Sequence, residues 1–437
     1  MADLLTVDDL RDAWPLLDAD ERVAGFEALE RQEAADFFES LTARGQAQVL
    51  LGVPAPERVL WARLLGPDDA VDCLQEVPRE DWAQILDALD APTRREVNVL
   101  LAYEEDEAGG LMSPRFVRAR PDMTVDEAVR YVRRQARERV VETIYYVYVL
   151  DASQRLLGVV SFRELMTAPD DRRLSEIMRT DVTTVGADVP AEEVALLVAR
   201  EDLLAVPVLD PDGRMQGIVT VDDVVDVLHE EATEDIHKLG GMEALDVPYM
   251  QTRMGPMLKK RGGWLAVLFL GELLTANALS RYEHEIASAV VLTLFIPLII
   301  SSGGNAGSQA ATLVIRAMAL GEVKVRDWWL VVRRELAMGL ALGGGLALLG
   351  FARVLLGEAA FGSFGEHAGR IAATVGLALI GVVTLGTLAG SIMPLLLERV
   401  GFDPASASAP FVATVVDVSG LVIYFSVAQV MLSGTLL

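Results

Sequence analysis

Five apolar stretches toward the end of the chain, at about 263–281, 286–315, 330–354, 370–397 and 408–435, dominate what it can fold into. Each can supply the roughly 20 apolar residues that a helix needs to cross a bilayer. No water reaches a backbone inside hydrocarbon, so such stretches must satisfy their own N–H and C=O groups as helices. The sequence therefore predicts a five-span α-helical transmembrane domain over 262–437.

The front of the chain is of opposite character. The formal net charge is −26, yet the mean hydropathy is +0.33. From Gly262 onward there are only 11 of the 64 acids and 9 of the 38 Lys and Arg residues, which leaves a net −24 on the part before it. An acidic soluble region of this kind argues against nucleic acid, whose phosphates call for Lys and Arg, and for cations as partners. The single cysteine, Cys73, excludes a disulfide framework and a thiolate metal site. The opening "MADLLTVDDLRDAW" has neither the basic n-region nor the apolar h-region of a signal peptide. Basic residues cluster before the first span (Lys259, Lys260, Arg261), between the second and third (Lys324, Arg326, Arg333, Arg334) and after the fourth (Arg399). The positive-inside rule then puts the N-terminal domains in the cytoplasm and the C-terminus outside a cell membrane.

Residues 1–109 read as all helix. "VAGFEALERQEAADFFESL" spaces apolar residues at i, i+3, i+4 and i+7, and Pro/Gly breaks such as "GVPAPE" separate the segments. A small helical superhelix is the expected packing. A duplication follows: "VYVLDASQRLLGVVSFRELM" from Val147 and "VPVLDPDGRMQGIVTVDDVV" from Val206 share strand, Asp-led turn, strand and helix. The expected modules are 110–173 and 174–229, each β-α-β-β-α. The run "VDDVVDVLHEEATEDIHKLGG" then carries seven acids against Lys238 and His237. Like charges one turn apart destabilise a helix. The run is either a solvated face or, with oxygen ligands only, a connector over 230–261 loaded with a hard cation such as Mg2+ or Ca2+. No EF-hand loop is present.

Two spans hold polar residues at membrane depth. In "FIPLIISSGGNAGSQAATLVIR", Pro297 removes a backbone donor, and small residues allow tight helix packing. Asn305 and Gln309, at i and i+4, favour a polar path as well. In "PFVATVVDVSGLVIYF", Asp417 lies mid-span. An ionised Asp there costs about 2.5–3.5 kcal/mol on insertion scales, so it faces an interior or a pathway. Pro410 can kink this span and free a carbonyl, and Ala413 puts a small side chain on the face of Asp417. A proton relay or an interhelical hydrogen bond is the structural alternative. Glu272, in the first span, is a second intramembrane acid.

The strings "EEDEAGGLMSP", "EEATEDIHKLG", "SGGNAGSQAATLVIRA" and "DPASASAPFVATVVDVSGLVIYFSVA", in this order, resemble the MgtE family of magnesium channels over essentially the whole chain. The duplicated modules resemble a pair of CBS domains. The resemblance implies a multidomain membrane protein: an all-α superhelical N domain, an α/β CBS pair, a connecting (plug) helix and the five-span domain. It implies a homodimer with one pore lined by the second and fifth spans. Asp417 then falls on the pore aspartate that holds hydrated Mg2+, Ala413 on a pore carbonyl position and Asn305 in the pore-side motif. Glu231, Glu234 and Asp235 match acids of the plug helix. Asp202, Asp223 and Asp226 match cation-binding acids of the second CBS module and its exit, and Asp403 a membrane-side acid that shares an ion with the plug. Asp87, Asp90 and Asp106 are candidates for the N-domain acids. Glu272 has no counterpart in the family pattern.

On this resemblance the chain is expected to pass Mg2+ passively inward and to close when cytosolic Mg2+ is high, with ATP as a ligand of the CBS pair. The alternatives are another divalent cation such as Mn2+ or Co2+, an ion-coupled transporter, or a membrane-anchored nucleotide sensor without transport. No HExxH, G-x-S-x-G, P-loop or GxGxxG is present, and no enzyme is expected.

Overall fold

The computed structural model describes residues 6–138, 140–245, 247–361 and 364–436. It forms two compact units, Met1–Glu231 and Ala232–Leu437.

The first unit opens with short helices from Val7–Ala13 to Ala91–Leu100. Their starts are set locally: Thr6, Asp18, Thr42 and Asp90 each accept a hydrogen bond from a backbone N–H of the first turn, which satisfies donors that the helix leaves open. Their apolar faces bury Phe26, Phe37, Phe38, Leu50 and Leu74, and this core runs on into Val194, Val198, Val206 and Val219 of the second module.

Each module contributes one three-stranded sheet. In the first, β1 (Val117–Ala119) lies parallel to β2 (Tyr146–Leu150), and β2 pairs antiparallel with β3 (Leu156–Ser161). The second repeats this with β4 (Val185–Gly186), β5 (Ala205–Leu209) and β6 (Met215–Thr220). The Asp-led turns behave alike. Asp151 Oδ1 accepts from Ser153 and Arg155 N–H at 2.7 and 2.9 Å, and Asp210 Oδ1 from Asp212 and Arg214 N–H at 2.9 and 2.8 Å. Gln154 and Gly213, at matching positions, are both left-handed, and the two turns pair with each other through Arg155 and Arg214.

The helix leaving β6 runs from Val221 to Leu239. The connecting helix therefore does not cover 230–261. It starts earlier because Thr220 donates to Asp223 Oδ2 through its hydroxyl (2.6 Å) and its N–H (3.3 Å). It stops at Gly240–Gly241, where Gly241 has φ +71°, a conformation that glycine adopts without penalty. Met254–Arg261 already belong to the first spanning helix.

In the second unit the spanning helices are Met254–Ser280, Ile296–Ala319, Trp328–Phe361, Ala368–Arg399 and Ala409–Leu432. Their core joins the second, fourth and fifth spans through Ile299, Val382, Val416 and Tyr424. Pro297 and Pro410 stand in the first turns of the second and fifth helices. There the missing N–H is not needed, so neither proline kinks a span. The second helix starts at Ile296 because a 3-10 turn, Val290–Phe295, precedes it.

Candidate cation sites

The glycine-rich run of the second span separates into two faces. Gly303 and Gly307 are buried against Gly386 and Gly390 of the fourth span, where the backbones touch and no Cβ fits. This is small-xxx-small packing on both helices. The other face exposes Ser301, Asn305 and Gln309, one helical turn apart. Tight packing and a polar face are thus both present, back to back.

The fifth span lies beside that face. A Cβ on Gly304 would sit 3.5 Å from the Cβ of Ala413, so Asn305 and Asp417 lie on adjoining helices within one turn of this contact. Asp417 is half-buried. On the side of the first span, Asp417 is within hydrogen-bonding reach of Glu272. The fifth helix is fixed at its N-terminal end: Ser408 Oγ accepts from Phe411 N–H at 3.4 Å and from Trp264 Nε1 at 3.3 Å.

A second candidate lies at the end of the connecting helix. Lys238 donates to both Glu234 and Asp403. Asp403 also accepts from Ala405 N–H at 2.7 Å, which holds its carboxylate in place. Burial, then the Asp403 charge, raises the Asp235 carboxyl above its ordinary range. Lys238 is pulled down by burial, but its hydrogen bonds to Asp403 and Glu234 outweigh this and raise it.

A third candidate was missed in the sequence. Asp68, Asp69 and Asp72, on the helix Pro67–Gln75, face the start of the connecting helix. Asp68 is 6% exposed, and its Oδ1 has no hydrogen-bond partner among the described residues. Asp68 Oδ1, Asp69 Oδ2 and Glu142 Oε2 border the space beside Gly66, within 2.5, 3.3 and 3.3 Å of where a Cβ would be. Burial, then the charges of Glu142, Asp69 and Asp223, pushes the Asp68 carboxyl well up. Asp72 is raised likewise by burial and Asp223, and burial takes Asp223 up to about 7. Asp226 is raised chiefly by burial. Such crowding of carboxylates calls for a counter-charge.

Three N-domain candidates make local contacts. Asp87 pairs with Arg94 at 3.5 Å, and Asp90 caps the helix Ala91–Leu100. The Asp106 carbonyl accepts from Ala191 N–H at 2.7 Å. Asp202 is an exposed left-handed C-cap without a hydrogen-bond partner for its carboxylate among the described residues. Glu231 lies half-buried on the connecting helix. Among the described residues, no three Asp, Glu, His or Cys side chains converge closely enough to ligate one ion directly.

Family models for the MgtE divalent cation transporter match residues 296–427, for the MgtE intracellular N domain 5–106, and for the CBS domain 108–171 and 174–230. The magnesium transporter MgtE of Thermus thermophilus is 41% identical over 98% of this chain and 93% of its own length. The chain belongs to the MgtE family of magnesium transporters. The MgtE of Enterococcus faecalis is 36% identical over 76% of this chain and 71% of its own. A crystal structure of the cytosolic domain of the Mg2+ channel MgtE in complex with ATP is 43% identical, spans 51% of this chain and 90% of that one, and has a TM-score of 0.47. As an MgtE member with five spanning helices, the chain is a multi-pass membrane protein preceded by soluble domains.

Proposed function

We propose that this MgtE member is a channel that passes hydrated Mg2+ passively inward through a pore at Asp417, in a homodimer whose second and fifth spans line it. The observation that carries this reading is the half-buried Asp417 beside the Asn305 face, with no basic group acting on it among the described residues. Two such carboxylates across a dimer axis repel, and a divalent ion between them removes that cost. Ala413 gives its carbonyl to the same site. An inside-negative potential drives a divalent ion inward with about 4.6 kcal/mol per 100 mV.

The gate reads cytosolic Mg2+. Ions bridge Asp223, Asp226 and Asp202 with the acids of the N domain, and Glu231, Glu234 and Asp235 with Asp403. At high Mg2+ the bridged, compact form holds the pore shut, and at low Mg2+ repulsion loosens it. This is a population shift toward the state that binds the ion better. The CBS pair takes ATP as a second regulatory ligand. The soluble domains face the cytoplasm and the C-terminus lies outside.

Mg2+ uptake into proteoliposomes under an imposed potential, for wild type and Asp417→Asn, tests the reading. Uptake by wild type and its loss in a variant of equal melting temperature is the expected result. Equal uptake by both would remove Asp417 from the path, and dependence on a proton gradient would favour a coupled transporter.

A further inference from the structure

We infer that Glu272 is a second acid of the ion site, setting its affinity for divalent ions and its preference for them over monovalent ones. The inference rests on the pore reading of Asp417. Glu272 stands 145 positions before Asp417 in the chain, yet the two carboxyl groups are within hydrogen-bonding reach. This approach is built into the packing. Gly271 faces Thr414 so closely that a Cβ on it would meet Thr414 Cγ2 at 2.5 Å. A groove of about 680 Å³ between the first and fifth spans is lined by Glu272 together with Pro410, Ala413 and Thr414. The acid therefore opens onto the face of the fifth helix that carries Ala413, one turn from Asp417.

The charge balance gives the pair its meaning. Two acids side by side at membrane depth are costly unless a cation lies near them, and no basic group is among those acting on Asp417 in the described residues. With Glu272, each subunit offers the ion two carboxyl groups where Asp417 alone would offer one. A denser negative site holds a divalent ion longer and excludes monovalent ions better, at some cost in exit rate. Glu272 acts through water and through Asp417, so its loss shifts affinity without closing the path.

The test uses the full-length protein in proteoliposomes, with Mg2+ uptake followed over a range of Mg2+ concentrations. Glu272→Gln is expected to raise the half-saturating Mg2+ by about 10-fold, in the range for groups that support metal ligands. Maximal uptake rises as exit quickens, and Na+ current through the same vesicles rises. Glu272→Asp, which keeps the charge on a shorter stem, is expected to fall between wild type and Glu272→Gln, and it decides the matter if the Gln variant melts early. An unchanged half-saturation and Na+ current in Glu272→Gln, with uptake abolished in Asp417→Asn, overturns the role of Glu272 and leaves the pore reading standing. Tighter Mg2+ binding in Glu272→Gln also overturns it. Uptake that survives in Asp417→Asn overturns the pore reading instead.

Discussion

Lys238 reaches across 165 positions of sequence to donate a hydrogen bond to Asp403, and the same ammonium holds Glu234 one turn back on its own helix. With Asp235 close by, three carboxyl groups share one built-in cation. The contact fastens the end of the connecting helix to the loop before the fifth span while leaving the group under-neutralised.

Lys238→Met is therefore expected to loosen this junction when Mg2+ is absent. The pair is partly exposed, with side-chain exposures of 26% and 35%, so its direct loss is worth about 1 kcal/mol or less. The larger effect is the carboxylate repulsion left behind. Limited proteolysis between Gly241 and Met254 should speed up in the variant without Mg2+ and return to the wild-type rate with Mg2+. Equal rates without Mg2+ would show that Lys238 does not hold the junction.

The acids facing Asp223 predict an unusual pH dependence. Their carboxyl groups are raised in the folded protein by burial and mutual charge. A raised acid favours the folded state fully below its unfolded value, about 3.9 for Asp. That contribution is lost as pH rises through the folded value, about 7 for Asp223. Without Mg2+, the soluble domains should melt earlier at pH 8 than at pH 5. The expected loss is on the order of 2 kcal/mol after allowance for solvent screening, or about 4–8 °C. Millimolar Mg2+ should restore the melting temperature at pH 8 and change it little at pH 5. Thermal melting of the full-length protein at both pH values, with and without Mg2+, checks all four conditions.

Asp68→Asn separates charge from shape. The amide keeps the size of the side chain but removes a buried acid whose Oδ1 has no hydrogen-bond partner among the described residues. Without Mg2+ at pH 8 the variant should melt about 2–4 °C above wild type, since relief of about 1 kcal/mol is expected for one such group. The gain from added Mg2+ should shrink. A variant that melts earlier, with an undiminished response to Mg2+, would place Asp68 outside the ion-binding group.

What was legible in the sequence follows the range of the forces. The Asp151 and Asp210 turns could be read because a carboxylate that accepts from N–H groups two and four residues on is local chemistry. The spans could be read from their apolar length, but their starts could not. Val290–Phe295 is as apolar as the helix it precedes, and a proline reads alike at a kink and in a first turn. Which N-domain acids meet the connecting helix could not be read, because those partners are set by tertiary packing. Asp87 and Asp90 sit in helix-boundary positions that any acid could fill, whereas Asp68 and Asp72 meet Asp223 about 150 positions away. One signal was present: "PDDAVDCL" puts acids one turn apart on a helix that buries Ala70, Val71, Cys73 and Leu74. Acids on so apolar a helix mark a buried contact.

The glycine ladder between the second and fourth spans sets the last expectation. At Gly390 an added methyl group would collide with the carbonyl of Gly307, which is backbone and cannot turn aside. Lipid gives helices no hydrophobic drive to associate, so this close approach is itself a source of stability. Gly390→Ala should destabilise the membrane unit by about 1–3 kcal/mol, the usual cost of overpacking. It should also push the second span outward and so displace Asn305 from its place beside Asp417. Gly344→Ala, on the third span with no neighbouring atom within 4 Å among the described residues, supplies the control and should melt and transport as wild type does. Thermal melting in detergent with Mg2+ uptake for both variants checks this. Wild-type behaviour in Gly390→Ala would mean that the second and fourth spans are not locked through these glycines, and that another contact sets the position of the polar face.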